Sequence, residues 1–153
     1  KTDSTEIDEE SATALANSYH VDIIIRSSPS TGELRVPSTP HILWKRKGSE
    51  KNMTTVVCHK ENGIIYSFDP LQVMFSRGNI NERSRFGSLV TAHNEVVVDM
   101  FAGIGYFSLP LATNRTRKPK AKDLYRPALL IAIEKNAESF RFLKENFNRY
   151  ERT

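Results

Sequence analysis

A single cysteine, Cys58, in a chain of 153 residues leaves no partner for an intramolecular disulfide and no cysteine-rich zinc site, which points to a reducing compartment. Cys58 itself reads as structural. No run approaches the roughly 18 apolar residues of a membrane span, and the N-terminal residues lack the apolar stretch of a signal peptide. A cytoplasmic location without membrane contact is expected. The four histidines, His20, His41, His59 and His93, are scattered without ligand spacing, so no metal site is expected. Internal repeats are absent, and the composition gives no basis for an oligomeric state. A strong charge bias is also missing. The net charge of +4 and pI near 9.3 suit a polyanionic partner such as RNA without requiring one.

What is present is the composition of an ordinary soluble protein, 39% hydrophobic and 26% charged, with length for one domain or for one small domain plus part of another. Residues 1–20 are acidic and rich in Ser, Thr and Ala, and read as a linker or frayed helix. Residues 21–70 hold short β-prone runs, Val21–Ile25, His41–Trp44, Thr54–Cys58 and Ile64–Phe68, divided by turn residues such as Thr31-Gly32, Pro37, Pro40 and Gly48. Asn62-Gly63 between two of those runs marks a hairpin, because both residues tolerate positive φ. A small antiparallel sheet is expected there.

From residue 71 to 153 the texture becomes that of alternating strands and helices. Ile80, Phe86, Leu89 and Val90 would share one face of a helix over 79–90. Glu95 to Asp99 is an apolar run ending in an acid, the pattern of a strand buried on both faces of a parallel sheet. A helix should follow over about 105–112, kinked or shortened by Pro110. Arg115 to Lys122 reads as a basic surface loop. Ala128 to Ile133 is the next strand, and Phe140, Leu143, Phe147 and Tyr150 form the apolar stripe of a closing helix. Strand, helix, strand, helix predicts a right-handed parallel βαβ unit, an α/β fold of Rossmann type. Doubly wound sheets hold more strands than these two, so the chain is expected to be truncated or to take its missing strands from elsewhere.

The chemistry concentrates where the first of these strands ends, at Asp99-Met-Phe-Ala-Gly-Ile-Gly105. Glycine lacks a Cβ, so the backbone turns tightly there and a ligand can approach it closely. Position 108 is Ser, so the dinucleotide fingerprint with its third glycine is absent, and no Gly-Lys-Ser/Thr follows to make a P-loop. The second strand ends in Glu134, beside the glycine turn. A carboxylate at that place accepts both hydroxyls of a ribose, which suits an adenosine-containing ligand, whether a nicotinamide dinucleotide or S-adenosylmethionine.

The run from Phe68 to Arg85, with Val96-Val-Val-Asp-Met-Phe-Ala-Gly-Ile-Gly-Tyr-Phe107 and Ala132-Ile-Glu-Lys-Asn136, resembles the tRNA guanine-N1 methyltransferase and wybutosine-synthesis superfamily. The resemblance extends from about Val21 to Tyr150. Within that superfamily the Met74-Phe-Ser-Arg-Gly-Asn79 block and Glu134-Lys-Asn136 are most similar to the branch that transfers a 3-amino-3-carboxypropyl group.

The resemblance implies a class I S-adenosylmethionine-dependent transferase fold preceded by a small antiparallel β domain, with S-adenosylmethionine as group donor. Ser76 and Arg83, the turn residues Phe101, Ala102, Gly103 and Gly105, and Glu134 would contact it. Arg83 would offer a charge-assisted partner to the cofactor's carboxylate, unless it is an exposed helix arginine. Asp99 is either a ligand of the methionyl amine or a structural acid. The implied substrate is a modified guanosine next to the anticodon of tRNA-Phe; the clustered cations of the basic loop either track its phosphates or form a solvated insertion. Two other readings stand beside this one, a guanine-N1 methyltransferase on the same scaffold and a noncatalytic RNA-binding fragment.

Overall fold

The computed structural model describes residues 7–48, 54–90, 92–114 and 125–150. The expected basic loop, Arg115 to Lys122, lies outside the described residues. The chain divides into two units, one of residues 1–57 with 69–74, the other of residues 58–68 with 75–153.

The first unit begins with helix α1, Glu9–Tyr19. The Asp8 carboxylate accepts the Ser11 amide N–H at 2.8 Å, Glu9 and Glu10 sit in the positive first turn, and His20 ends the helix at φ 53°. Large apolar residues are scarce here, but Ala12 and Ala16, one turn apart, are buried. Small side chains let α1 lie close to strands β1, Ile23–Arg26, and β4, His41–Lys45, which pair antiparallel with an irregularity between Ile24 and Ile25. Arg46 locks the α1–β1 corner. Its Nε donates to Asp22 at 2.8 Å, Nη1 to the Asn17 side chain at 3.0 Å and Nη2 to the Val21 carbonyl at 3.0 Å. Strands β2, Ser30–Thr31, and β3, Val36–Pro37, form a separate antiparallel pair. In the 69–74 segment the buried Asp69 carboxylate accepts from the Thr55 hydroxyl, the Leu71 amide and the Gln72 side chain, which closes the turn at Pro70.

The expected single antiparallel sheet is thus replaced by isolated strand pairs. The third pair, β5 (Val57–Glu61) and β6 (Ile64–Phe68), groups with the second unit. Asn62 at φ 50° and Gly63 at φ 79° make the turn between them. A two-residue turn sets Glu61 opposite Ile64, which is why β5 covers 57–61 and not the more apolar 54–58. Cys58 is consequently an exposed strand residue, its sulfur 3.4 Å from the Ser67 hydroxyl, and not a packed one.

The rest of the second unit is the βαβ arrangement. A short 3₁₀ turn at Arg77–Asn79 leads into α2, Ile80–Phe86. That helix stops at Gly87, so Leu89 and Val90 lie beyond it, and its buried residue is Arg83 where an apolar face was expected. Strand β7, Val96–Asp99, pairs in parallel with β8, Leu129–Ala132, from Val96 opposite Leu129 to Asp99 opposite Ala132. Helix α3 between them is short, Ser108–Thr113. Starting at Ser108 puts Pro110 in its first turn, where a backbone N–H has no intrahelical acceptor to lose. Helix α4, Ala137–Asn148, is capped by the Asn136 side chain, which accepts the amides of Glu138 and Ser139. Its inward face is Ser139, Phe142, Leu143 and Asn146, rotated from the expected stripe so that Phe140 is exposed. Nor are the two strands buried on both faces. Val96, Val98, Leu129, Ile131 and Ile133 line an exposed face, with Val96 at 60% and Ile133 at 50%.

Candidate functional site

Where β7 ends, the backbone is sewn to β8. The Ile133 amide donates to the Asp99 carbonyl at 2.8 Å and the Ala102 amide to the Ile133 carbonyl at 2.9 Å. Between these bonds and α3 the chain must reverse, and glycine makes this possible. Gly103 and Gly105 have φ of 56° and 100°, and a Cβ on either would fall 2.5 Å from the Tyr106 ring or 2.8 Å from the Leu109 side chain. Ala102 and Ile104 turn inward, whereas Phe101 points out at 85% exposure.

Glu134 fastens this turn from the other strand. One carboxylate oxygen accepts the Gly103 amide at 2.7 Å and the other the Asn136 amide at 2.6 Å. An ionised carboxylate offers about four lone-pair directions, so two remain for hydroxyl donors. That spare capacity fits a ribose diol, and the exposed Phe101 ring of the same turn is free to meet a flat or apolar group. Asp99 serves the turn itself. It accepts the Ser108 hydroxyl at 2.5 Å and the Phe101 amide at 3.2 Å, tying the strand end to the first residue of α3.

Ser76 and Arg83 are brought together, but not as an exposed hydroxyl and an exposed cation. Arg83 is 1% exposed. Its Nε and Nη2 grip the two oxygens of Glu61 at 2.6 and 2.7 Å, its Nη1 donates to the Ser76 carbonyl at 2.8 Å, and its guanidinium lies 4.8 Å over the Phe75 ring. Arg83 is therefore a strut under the Ser76 backbone. The Ser76 hydroxyl does not cap the helix that follows. Neither Arg83–Glu82 pairing nor solvation occurs, since Glu82 is taken by Arg85.

Tyr106 connects the two groups. Its ring centroid is 5.6 Å from that of Phe75 and 6.4 Å from that of Tyr66, and Phe75 also stacks on Phe68 at 5.1 Å. Burial pushes the Tyr106 phenol well above the ordinary tyrosine range; the nearby Arg83 charge works against that shift and the Glu134 charge with it. The phenol thus feels the charges of both Arg83 and Glu134. Glu61 and Tyr106 were not among the expected site residues. Glu61 lies 22 positions from Arg83, a pairing no local spacing reveals.

Comparison with known proteins decides the family. A profile described as the TRM5/TYW2 methyltransferase domain matches residues 57–152, more than half of the chain. The chain belongs to the TRM5/TYW2 methyltransferase domain family. A curated relative from Methanocaldococcus jannaschii, named tRNA(Phe) (4-demethylwyosine(37)-C(7)) aminocarboxypropyltransferase, is 40% identical over 124 residues, which cover 81% of this chain and 42% of that protein. The crystal structure of Pyrococcus horikoshii TYW2 in complex with MeSAdo superposes with a TM-score of 0.65 at 33% identity, covering 93% of this chain and 43% of the other. The structure of the M. jannaschii tRNA m1G37 methyltransferase superposes with a TM-score of 0.62 at 28% identity, covering 95% and 38%. The chain spans less than half the length of each. These TRM5/TYW2 relatives bear out the resemblance read from the sequence and the α/β transferase fold it implied. Two of the solved relatives hold such ligands: P. horikoshii TYW2 was determined in complex with MeSAdo and M. jannaschii TYW2 in complex with AdoMet. Among the described residues no helix is long and apolar enough to cross a membrane.

Proposed function

We propose that this chain is the S-adenosylmethionine-binding part of a tRNA aminocarboxypropyltransferase acting in wybutosine synthesis. Its product would be a modified guanosine beside the anticodon of tRNA-Phe carrying the 3-amino-3-carboxypropyl group. The observation that carries the reading is the double grip of Glu134 on the Gly103 and Asn136 amides, with acceptor capacity left over for a ribose. S-Adenosylmethionine supplies an activated sulfonium, so the chemistry asks the protein chiefly for position and exclusion of water.

The residues divide that work. Glu134 holds the ribose, and the Phe101, Ala102, Gly103 and Gly105 backbone lets the adenosine lie close. Asp99 keeps the turn rigid through Ser108. Ser76 presents its hydroxyl to the methionyl end, with Arg83, its charge paired by Glu61, fixing the Ser76 backbone from beneath. The basic loop around Arg115 to Lys122 would contact tRNA phosphates. The single cysteine of these 153 residues fits a reducing compartment such as the cytoplasm.

The M. jannaschii methyltransferase likeness keeps a guanine-N1 methyltransferase as a second reading on the same site. Incubating the protein with S-adenosylmethionine and tRNA-Phe bearing the wybutosine precursor separates the two. Methylthioadenosine as by-product supports the proposal; S-adenosylhomocysteine overturns it in favour of methyl transfer. A chain that binds tRNA yet shows no calorimetric signal with S-adenosylmethionine would be a noncatalytic RNA-binding fragment.

A further inference from the structure

One side chain outside the residues assigned to the site makes contacts that the reading above does not use. Asn146 on α4 is fully buried. Its Oδ1 accepts the Ser67 amide at 2.7 Å, and its Nδ2 donates to the Ser67 carbonyl at 3.1 Å and to the Ile104 carbonyl at 3.0 Å. The amide's acceptor and both of its donors are engaged, and exchanging oxygen with nitrogen would break all three bonds.

The Ile104 bond is the informative one. Ile104 sits between the two positive-φ glycines, and the peptide joining it to Gly105 has no Cβ on its Gly105 side to resist reorientation. That peptide is held at both ends. Its N–H donates to the Ala102 carbonyl at 2.8 Å, and its carbonyl accepts from Asn146. Docking of α4 on β6, by contrast, does not depend on Asn146 alone. The Ile65 amide donates to the Tyr150 hydroxyl at 2.6 Å, and Arg149 donates to the Ile65 carbonyl at 3.2 Å and to the Ser67 hydroxyl at 2.9 Å. A residue needed only to hold the helix on the strand would have no use for the third bond.

We propose that Asn146 is a positioning residue for the cofactor turn: by fixing the Ile104 carbonyl to β6 through one buried amide, it holds the Gly103–Gly105 backbone in the conformation that offers Glu134 to a ribose. This rests on the reading of that turn as an S-adenosylmethionine site. Asn146 touches no ligand and acts through the peptide it restrains.

The test compares Asn146→Ala with Tyr150→Phe, which loosens the same helix without touching the turn, and adds Asn146→Asp, which keeps the acceptor for Ser67 and loses both donors. Amide hydrogen exchange is read on the ligand-free chain, and S-adenosylmethionine affinity by calorimetry, each well below the variant's melting temperature. The Asn146 variants should exchange the Gly105 and Tyr106 amides about tenfold faster than the parent and bind S-adenosylmethionine about tenfold more weakly, while Tyr150→Phe changes neither by more than about twofold. Folded Asn146 variants with unchanged exchange at Gly105 and Tyr106 would overturn the proposal, as would equal effects from Tyr150→Phe. Should the parent chain itself fail to bind S-adenosylmethionine, the functional reading falls and the exchange measurement alone decides the role of Asn146. If Asn146→Ala does not fold, Asn146→Asp supplies the same readouts.

Discussion

The Glu134 carboxylate accepts the Gly103 amide at 2.7 Å across 31 positions of sequence, so the acid at the tip of β8 and the glycine turn after β7 form one unit. Replacing the acid by its amide tests the unit with little change of shape. In Glu134→Gln one of the two amide donors faces an NH₂ group, and charge-assisted hydrogen bonds are worth about 1.5–3 kcal/mol. S-Adenosylmethionine binding should weaken by about tenfold or more in calorimetry, with a fall in melting temperature.

Phe101 gives the opposite separation. At 85% exposure its ring contributes little to the fold, so Phe101→Ala should change stability by no more than about 0.5 kcal/mol. On the proposed function its neighbours in the turn would bind the ligand, and the same variant should lose affinity for S-adenosylmethionine. Loss of stability without loss of affinity would remove Phe101 from the site.

Gly105→Ala should be costly before any ligand is added. The residue has φ 100°, and the new methyl group would meet the Leu109 side chain at 2.8 Å. Backbone strain and overpacking of this kind each cost on the order of 1–3 kcal/mol. Chemical denaturation should show a lower midpoint with an unchanged slope.

The Glu61–Arg83 pair calls for a double-mutant cycle. Removing one partner leaves a buried charge and should cost about 3–5 kcal/mol, as in Glu61→Leu or Arg83→Met alone, whereas the double replacement should recover much of the loss. The test of Ser76's dependence on Arg83 is that the double variant, though stable, still binds S-adenosylmethionine less tightly than the parent.

Stability should fall in alkaline solution. Burial raises the phenols of Tyr66 and Tyr106 above the ordinary value of 10.0, so the folded state keeps both protons where the unfolded chain gives them up. Their stabilisation is complete below about pH 10 and is lost progressively as pH rises above it. Melting temperatures followed from pH 8 to pH 11 should drop less steeply for Tyr106→Phe than for the parent.

The parts of this molecule legible in its sequence are those set by local geometry. Asn62-Gly63 announced its hairpin because positive φ is a property of two residues, and β7 and β8 showed in their apolar runs. The strut under Ser76 was hidden because Arg83 sits where helical periodicity asks for an apolar residue, and Glu61, which makes that burial tolerable, lies on another element. Helix α4 was found, but its inward face is rotated toward Asn146, whose polarity is compensated only by Ser67 and Ile104 from elsewhere in the fold. Helix α1 lacked the large apolar residues that mark a packed helix because its contact is made by Ala12 and Ala16. The wrong register for β5 came from weighing hydrophobicity over the turn that fixes strand pairing.

The most direct test of the central claim is an amide-resolved NMR titration of the chain with S-adenosylmethionine. Saturable shifts concentrated at Phe101 to Gly105, at Glu134 to Asn136 and at Ser76 are predicted. Binding without shifts in the glycine turn, or no binding at millimolar ligand, would contradict the account.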